Sequence, residues 1–150
     1  MNLLTKVRKA TENDLEGILG LVRDLAEYEK APQAVTAGIE SYRTNFKEGI
    51  FDAIVAENRD GQIVGMVLFY LAWSTWKGKM LYLEDFVVKE NVRGQGVGKV
   101  LFDALILEAK RLNCVMMKWQ VLDWNIPAIQ FYEKYDTVFD KEWWNGKIYF

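Results

Sequence analysis

Hydrophobic positions recur in this chain at two spacings, and the switch between them separates predicted helices from predicted strands. Leu15, Ile18, Leu19, Val22, Leu25 and Ala26 fall three or four apart and share one face of a helix predicted over 15–28. Thr11-Glu12-Asn13-Asp14 opens that helix as a capping box, and Lys30-Ala31-Pro32 ends it. Residues 5–9 before it read as a short strand, and Ile39, Tyr42 and Phe46 predict a weaker second helix over 38–48. From Phe51 the pattern becomes that of strands. Stretches 51–57, 62–73 and 79–88 form a predicted antiparallel meander. Asn58-Arg59-Asp60-Gly61, whose Asp-Gly favours positive φ, joins the first two strands, and a turn across 73–78 joins the last two.

Helical spacing returns at Val97, Val100, Leu101, Ala104, Leu105 and Glu108 and runs to about Leu112. Stretch 116–121 is then a strand, expected to be parallel to its neighbour because a helix crosses over before it. Pro127 suits the first turn of a short helix carrying Ala128, Phe131 and Tyr132. Stretches 138–142 and 144–150 read as a closing pair of strands around Asn145-Gly146. The order βααβββαβαββ predicts an α/β (α+β) fold, a mixed central sheet flanked by about four helices, in one domain over 1–150.

Composition narrows the chemistry. At 150 residues and 51% hydrophobic, the chain can bury a core of one domain. The longest apolar run, 63–73, is too short for a bilayer, and no apolar signal segment follows Lys6, Arg8 and Lys9, so a soluble cytoplasmic protein without a membrane partner is expected. A net charge of -2 without a basic block excludes a nucleic-acid partner and suits a cationic one. The absence of histidine removes Ser-His-Asp, Cys-His and HExxH chemistry. The single cysteine, Cys114, makes neither an intrachain disulfide nor a thiolate zinc site, so no metal is expected.

The stretch that carries chemistry is Arg93-Gly94-Gln95-Gly96-Val97-Gly98, between a strand and a helix. Alternate glycines free the backbone to turn its N–H groups into one concavity, and the helix start adds unpaired donors, so the site suits a phosphate or pyrophosphate. A Walker A spacing fails, because Arg93 and Val100 stand where a Gly and a Ser or Thr are required. The dinucleotide pattern fails as well, because the loop follows three antiparallel strands.

The stretch Val88-Lys89-Glu90-Asn91-Val92-Arg93-Gly94-Gln95-Gly96-Val97-Gly98-Lys99 resembles the acetyl-CoA loop of the GNAT acetyltransferases, Q/R-x-x-G-x-G/A. Leu83-Glu84-Asp85-Phe86, Trp124-Asn125-Ile126-Pro127-Ala128 and Phe131-Tyr132-Glu133-Lys134 resemble, more narrowly, the diamine (spermidine/spermine) N-acetyltransferase subgroup. The resemblance implies that the backbone of Phe86, Val87 and Val88 meets the pantetheine arm of acetyl-CoA. It implies that Arg93, Gly94, Gln95, Gly96, Val97, Gly98 and Lys99 hold the pyrophosphate, with Asn125, Ala128 and Lys134 also toward the cofactor. It makes Tyr132 the general acid. It assigns Tyr28, Glu29, Glu84, Lys118, Trp119, Gln120 and Glu142 to the amine, and a homodimer as the assembly.

Chemistry supports these residue types. An alkylammonium near pKa 10 must lose a proton before it attacks a thioester, and Glu84 is the candidate acceptor, directly or through water. Glu29, Glu84, Asp85 and Glu142 suit an extended polycation through charge-assisted hydrogen bonds. The expected activity is direct acetyl transfer to a primary amine of a small polyamine or diamine. Thialysine, an amino acid or a protein amine is the alternative acceptor, and a non-catalytic acyl-CoA sensor the alternative of another class. Tyr135-Asp136 departs from the glycine usual at that place in the family, and Asp tolerates the left-handed conformation required there.

Overall fold

The computed structural model describes residues 4–150, which divide into two compact units, one ending at Trp119 and a second from Gln120 to Phe150. In the first unit β1 (Leu4–Lys9), β2 (Asp52–Asn58), β3 (Ile63–Ser74), β4 (Gly78–Val88) and β5 (Met116–Trp119) form one sheet in the order β1-β2-β3-β4-β5. All neighbours are antiparallel except β4 and β5, which are parallel as expected.

Helices α1 (Leu15–Tyr28) and α2 (Ile39–Lys47) follow β1, and α3 (Val97–Arg111) makes the crossover between β4 and β5. The apolar face of α1, led by Leu15, Ile18 and Leu21, packs with Ala53, Val55, Met66, Leu68 and Val87. Tyr42 and Phe46 of α2 join the edge of that cluster. On the other face, Leu101, Phe102 and Leu105 of α3 are fully buried, and Phe86 stacks on Phe102 at 5.8 Å. Gly65 lets α3 come this close: a Cβ there would lie 3.0 Å from Leu101 Cδ1 and 3.2 Å from the Val87 carbonyl.

Charged groups tie β1 to β2, to the turn before α1 and to α3. Arg8 donates to both oxygens of buried Asp14 at 2.7 and 2.9 Å and to Glu57 at 2.9 Å, and the Thr11 N–H also donates to Asp14. The predicted capping box is therefore present, at a short 3₁₀ turn, Glu12–Asp14, that leads into α1. Lys9 and Arg111 both donate to Glu108, and the Arg111 bonds above all hold its carboxyl down at about 2.

The second unit contains α4 (Ile126–Glu133), with Pro127 in its first turn. Asp136 takes φ +54, the left-handed conformation expected at the departure from the family's glycine. The closing pair of strands expected over 138–142 and 144–150 is a correction, because these residues form no regular structure. Their alternation gives strand propensity, but a strand requires a neighbour for its ladder, and Trp144 and Ile148 instead stand 96% and 83% exposed. The strand expected over 116–121 likewise ends at Trp119.

Candidate active site

The chemistry concentrates where β4 leaves its neighbours. Leu68 of β3 faces Asp85 while Phe69 faces Leu83, so Glu84 is the extra residue of a β-bulge. The bulge changes the alternation. Leu83 points with Phe69 toward α3, whereas Asp85 joins Leu68 and Val87 on the α1 and α2 face. The ladder between β4 and β5 ends at the same level, its last pair being Leu83 and Trp119. From Glu84 to Val88, β4 keeps β3 on one side and has no strand on the other among the described residues, so the sheet splays open beside Phe86, Val87 and Val88.

The glycine loop lies at the end of that opening. Gly94 and Gly96 take φ +75 and +84, and a Cβ at either would meet nothing within 4 Å, so backbone conformation rather than space demands glycine. Val100 is the first residue of α3 to bond back, to the Gly96 carbonyl at 3.1 Å. The N–H groups of residues 94–99 take no backbone acceptor among the described residues and form the anion-directed donor set of a helix start. Lys99 pairs with Asp103 one turn on. The Arg93 side chain turns back: its Nε donates to the Val88 carbonyl at 2.9 Å, and its guanidinium lies 5.4 Å from the Tyr28 ring at the end of α1.

Three carboxylates meet on the α1 and α2 face. Asp85 is half-buried, and burial, then Glu84, then Glu29 push its carboxyl up to about 6. Burial also raises Glu29, the residue after α1. Glu84 is exposed, and its Oε2 accepts from the Tyr70 hydroxyl at 3.1 Å. Tyr70 stacks on Tyr82, its cross-strand partner, at 5.2 Å. The phenols of Tyr42, Tyr70 and Tyr82 are all raised, by burial first and then by the neighbouring carboxylates; Arg23 partly offsets this at Tyr42. Among the described residues no lysine or arginine makes an ion pair with Glu29, Glu84 or Asp85.

Sequence reasoning named the carboxylates and missed the tyrosines. Tyr70 and Tyr82 become neighbours through strand register, for which the chain carries only an alternation signal, and Tyr42 arrives on α2. Lys118 pairs in register with Tyr82, and Trp119 turns to the other face, against Phe102 at 5.6 Å.

The remaining candidates lie in the second unit. Asn125 caps α4, its Oδ1 accepting from the Ala128 N–H at 3.3 Å, and Lys134 ends that helix. Tyr132 is buried, 5.7 Å from Phe131 in an edge contact, and its carbonyl accepts from Thr137 Oγ1 at 2.6 Å. Gln120 donates to Asn145, and exposed Glu142 donates its N–H to Asp140.

A five-stranded mixed sheet that splays beside a bulged β4, with a glycine loop opening the next helix, defines a class, and the sequence comparison agrees. Residues 21–136 match the acetyltransferase (GNAT) family, to which the chain belongs; it is an N-acetyltransferase. The chain is 39% identical over 136 residues to thialysine N-epsilon-acetyltransferase of Bos taurus, covering 85% of this chain and 80% of that one. It is 31% identical over 135 residues to the human spermidine/spermine N(1)-acetyltransferase-like protein 1, covering 85% of this chain and 19% of that one. An aminoglycoside acetyltransferase from an uncultured soil metagenomic sample shares the fold at a TM-score of 0.81 and 21% identity, covering 99% of this chain and 97% of that one.

Proposed function

We propose that the protein moves an acetyl group from acetyl-CoA to a primary amine of a small diamine or polyamine by direct attack. The observation that carries the acceptor is the Glu29, Glu84 and Asp85 group, three carboxylates without an ion-paired cation, whose mutual repulsion a bound dication relieves. The donor is supported by the fit of its site: positive-φ Gly94 and Gly96, unsatisfied N–H groups over 94–99, and an open edge at Val87 and Val88. Acetyl-CoA supplies the activated thioester.

The rest of the work falls to side chains. Glu84 takes the proton that the acceptor ammonium loses, Tyr132 holds a proton for the departing sulfur, and Asp85 and Glu29 bind the acceptor's further charge. Asn125, Ala128 and Lys134 belong to the donor side, and Gln120 and Glu142 to the acceptor side, of the same proposal. So do a single domain, a homodimer and a cytoplasmic setting. The dimer is supported by Trp73 and Trp76 at 70% and 85% exposure, and no helix among the described residues is long and apolar enough to cross a membrane.

A second acceptor has its own support. Lys118 lies in register with Tyr82 and offers a cation for an amino acid's carboxylate, and several relatives are thialysine acetyltransferases. Thiol release with putrescine, spermidine, thialysine and lysine, measured side by side, separates the two. A kcat/KM for thialysine above that for both putrescine and spermidine overturns the diamine or polyamine reading.

A further inference from the structure

Helix α1 ends in an unusual way. The Lys30 N–H bonds to the Glu27 carbonyl at 3.0 Å and the Ala31 N–H to the Ala26 carbonyl at 2.8 Å, the paired bonds of a Schellman motif. The left-handed residue of that motif is usually glycine, yet here it is Lys30 at φ +62. A side chain at that conformation is strained, and contacts from outside the helix add to these two bonds in holding its end. That end matters because Glu29, between Tyr28 and Lys30, is one of the carboxylates acting on Asp85.

The outside support comes from the donor loop. Arg93 is the first residue of the glycine-rich motif, but the contacts of its side chain are with the end of β4 and the last turn of α1. One arm is fixed on the Val88 carbonyl and the guanidinium faces the Tyr28 ring. It thus bridges the end of β4, the loop and the end of α1.

We infer that Arg93 is a positioning residue for the acceptor site, bracing the Tyr28–Glu29 end of α1 through its cation–π contact with Tyr28, while the loop's backbone holds the donor. This rests on the assignment of the acceptor to the Glu29, Glu84 and Asp85 carboxylates. A cation–π contact at an exposed site predicts an effect of about two- to fivefold on what it positions.

The test compares Arg93→Gln, Arg93→Lys, Tyr28→Leu and the Arg93→Gln/Tyr28→Leu double variant with the wild type. Steady-state kinetics use the best amine of the panel above, and amide hydrogen exchange is followed at Glu29, Lys30 and Ala31. Arg93→Gln is expected to raise the acceptor KM about two- to fivefold, to leave the acetyl-CoA KM in place, and to speed exchange at those three amides. Arg93→Lys should recover part of both effects, and the double variant should be no worse than the poorer single one. A raised acetyl-CoA KM with an unchanged acceptor KM would show a donor ligand and overturn the inference, as would unchanged exchange in both single variants. Tyr28→Leu probes the same contact if Arg93→Gln does not fold. If no diamine is turned over, the acceptor assignment fails, and exchange still decides the brace.

Discussion

Asp85→Asn removes the charge at the centre of the carboxylate group and keeps its shape, and its consequences for stability and for activity should oppose one another. In the folded chain burial first, and then Glu84 and Glu29, push the Asp85 carboxyl from 3.8 up to about 6. A carboxyl raised in the folded state favours its protonated form there. Its penalty is therefore absent below 3.8, grows between 3.8 and about 6, and is complete above that. The separation corresponds to at most about 3 kcal/mol of destabilisation at neutral pH. Asp85→Asn should recover a large part of it, a rise in Tm of up to about 6–12 °C for a chain of this size. Urea unfolding at pH 8 and at pH 4 is the assay. A gain at pH 8 that nearly vanishes at pH 4 is expected, together with a higher KM for a diamine. Equal gains at both pH values would refute the electrostatic account, since a packing change does not titrate.

Other tests address single groups. Glu84→Gln should lower kcat/KM at neutral pH and approach wild-type rates at high pH, where free amine is present; an equal loss at both would remove the base role. Tyr70→Phe deletes the hydrogen bond that orients Glu84 and should lower kcat/KM at neutral pH, whereas Tyr82→Phe, which makes no such bond, should not. Gly96→Ala places a Cβ at φ +84, costs about 1–2 kcal/mol and should raise the acetyl-CoA KM, read by initial rates. Glu108→Gln should flatten the fall of Tm as pH drops from 4.5 toward about 2, because in that window the unfolded wild-type chain takes up a proton at Glu108 while Arg111 and Lys9 keep the folded carboxyl ionised.

Much of this architecture is written in local pattern. The 3.6-residue spacing of Leu15, Ile18 and Leu25 marks α1, and that of Val97, Leu101 and Leu105 marks α3. The meander and its Asp-Gly turn lie where alternation and turn chemistry place them, with Gly61 at φ +76. The 138–150 stretch shows the limit of such pattern, because its alternating residues have strand propensity without a ladder to join.

The candidate site divides in the same way. Arg93-Gly94-Gln95-Gly96-Val97-Gly98 is legible in the chain, since positive φ and exposed N–H groups follow from glycine and a helix start, both local properties. Adjacent Glu84-Asp85 also stands out as a charged pair within an apolar run. Their different fates depend on long-range pairing: the bulge between Leu68 and Phe69 turns Asp85 inward with Glu29 and leaves Glu84 exposed beneath Tyr70. The contact between Arg93 and Tyr28 likewise joins residues far apart in the chain. Local sequence carries residue type and backbone preference, whereas register and packing choose which groups share a dielectric and a field, and these set the carboxyl at about 6.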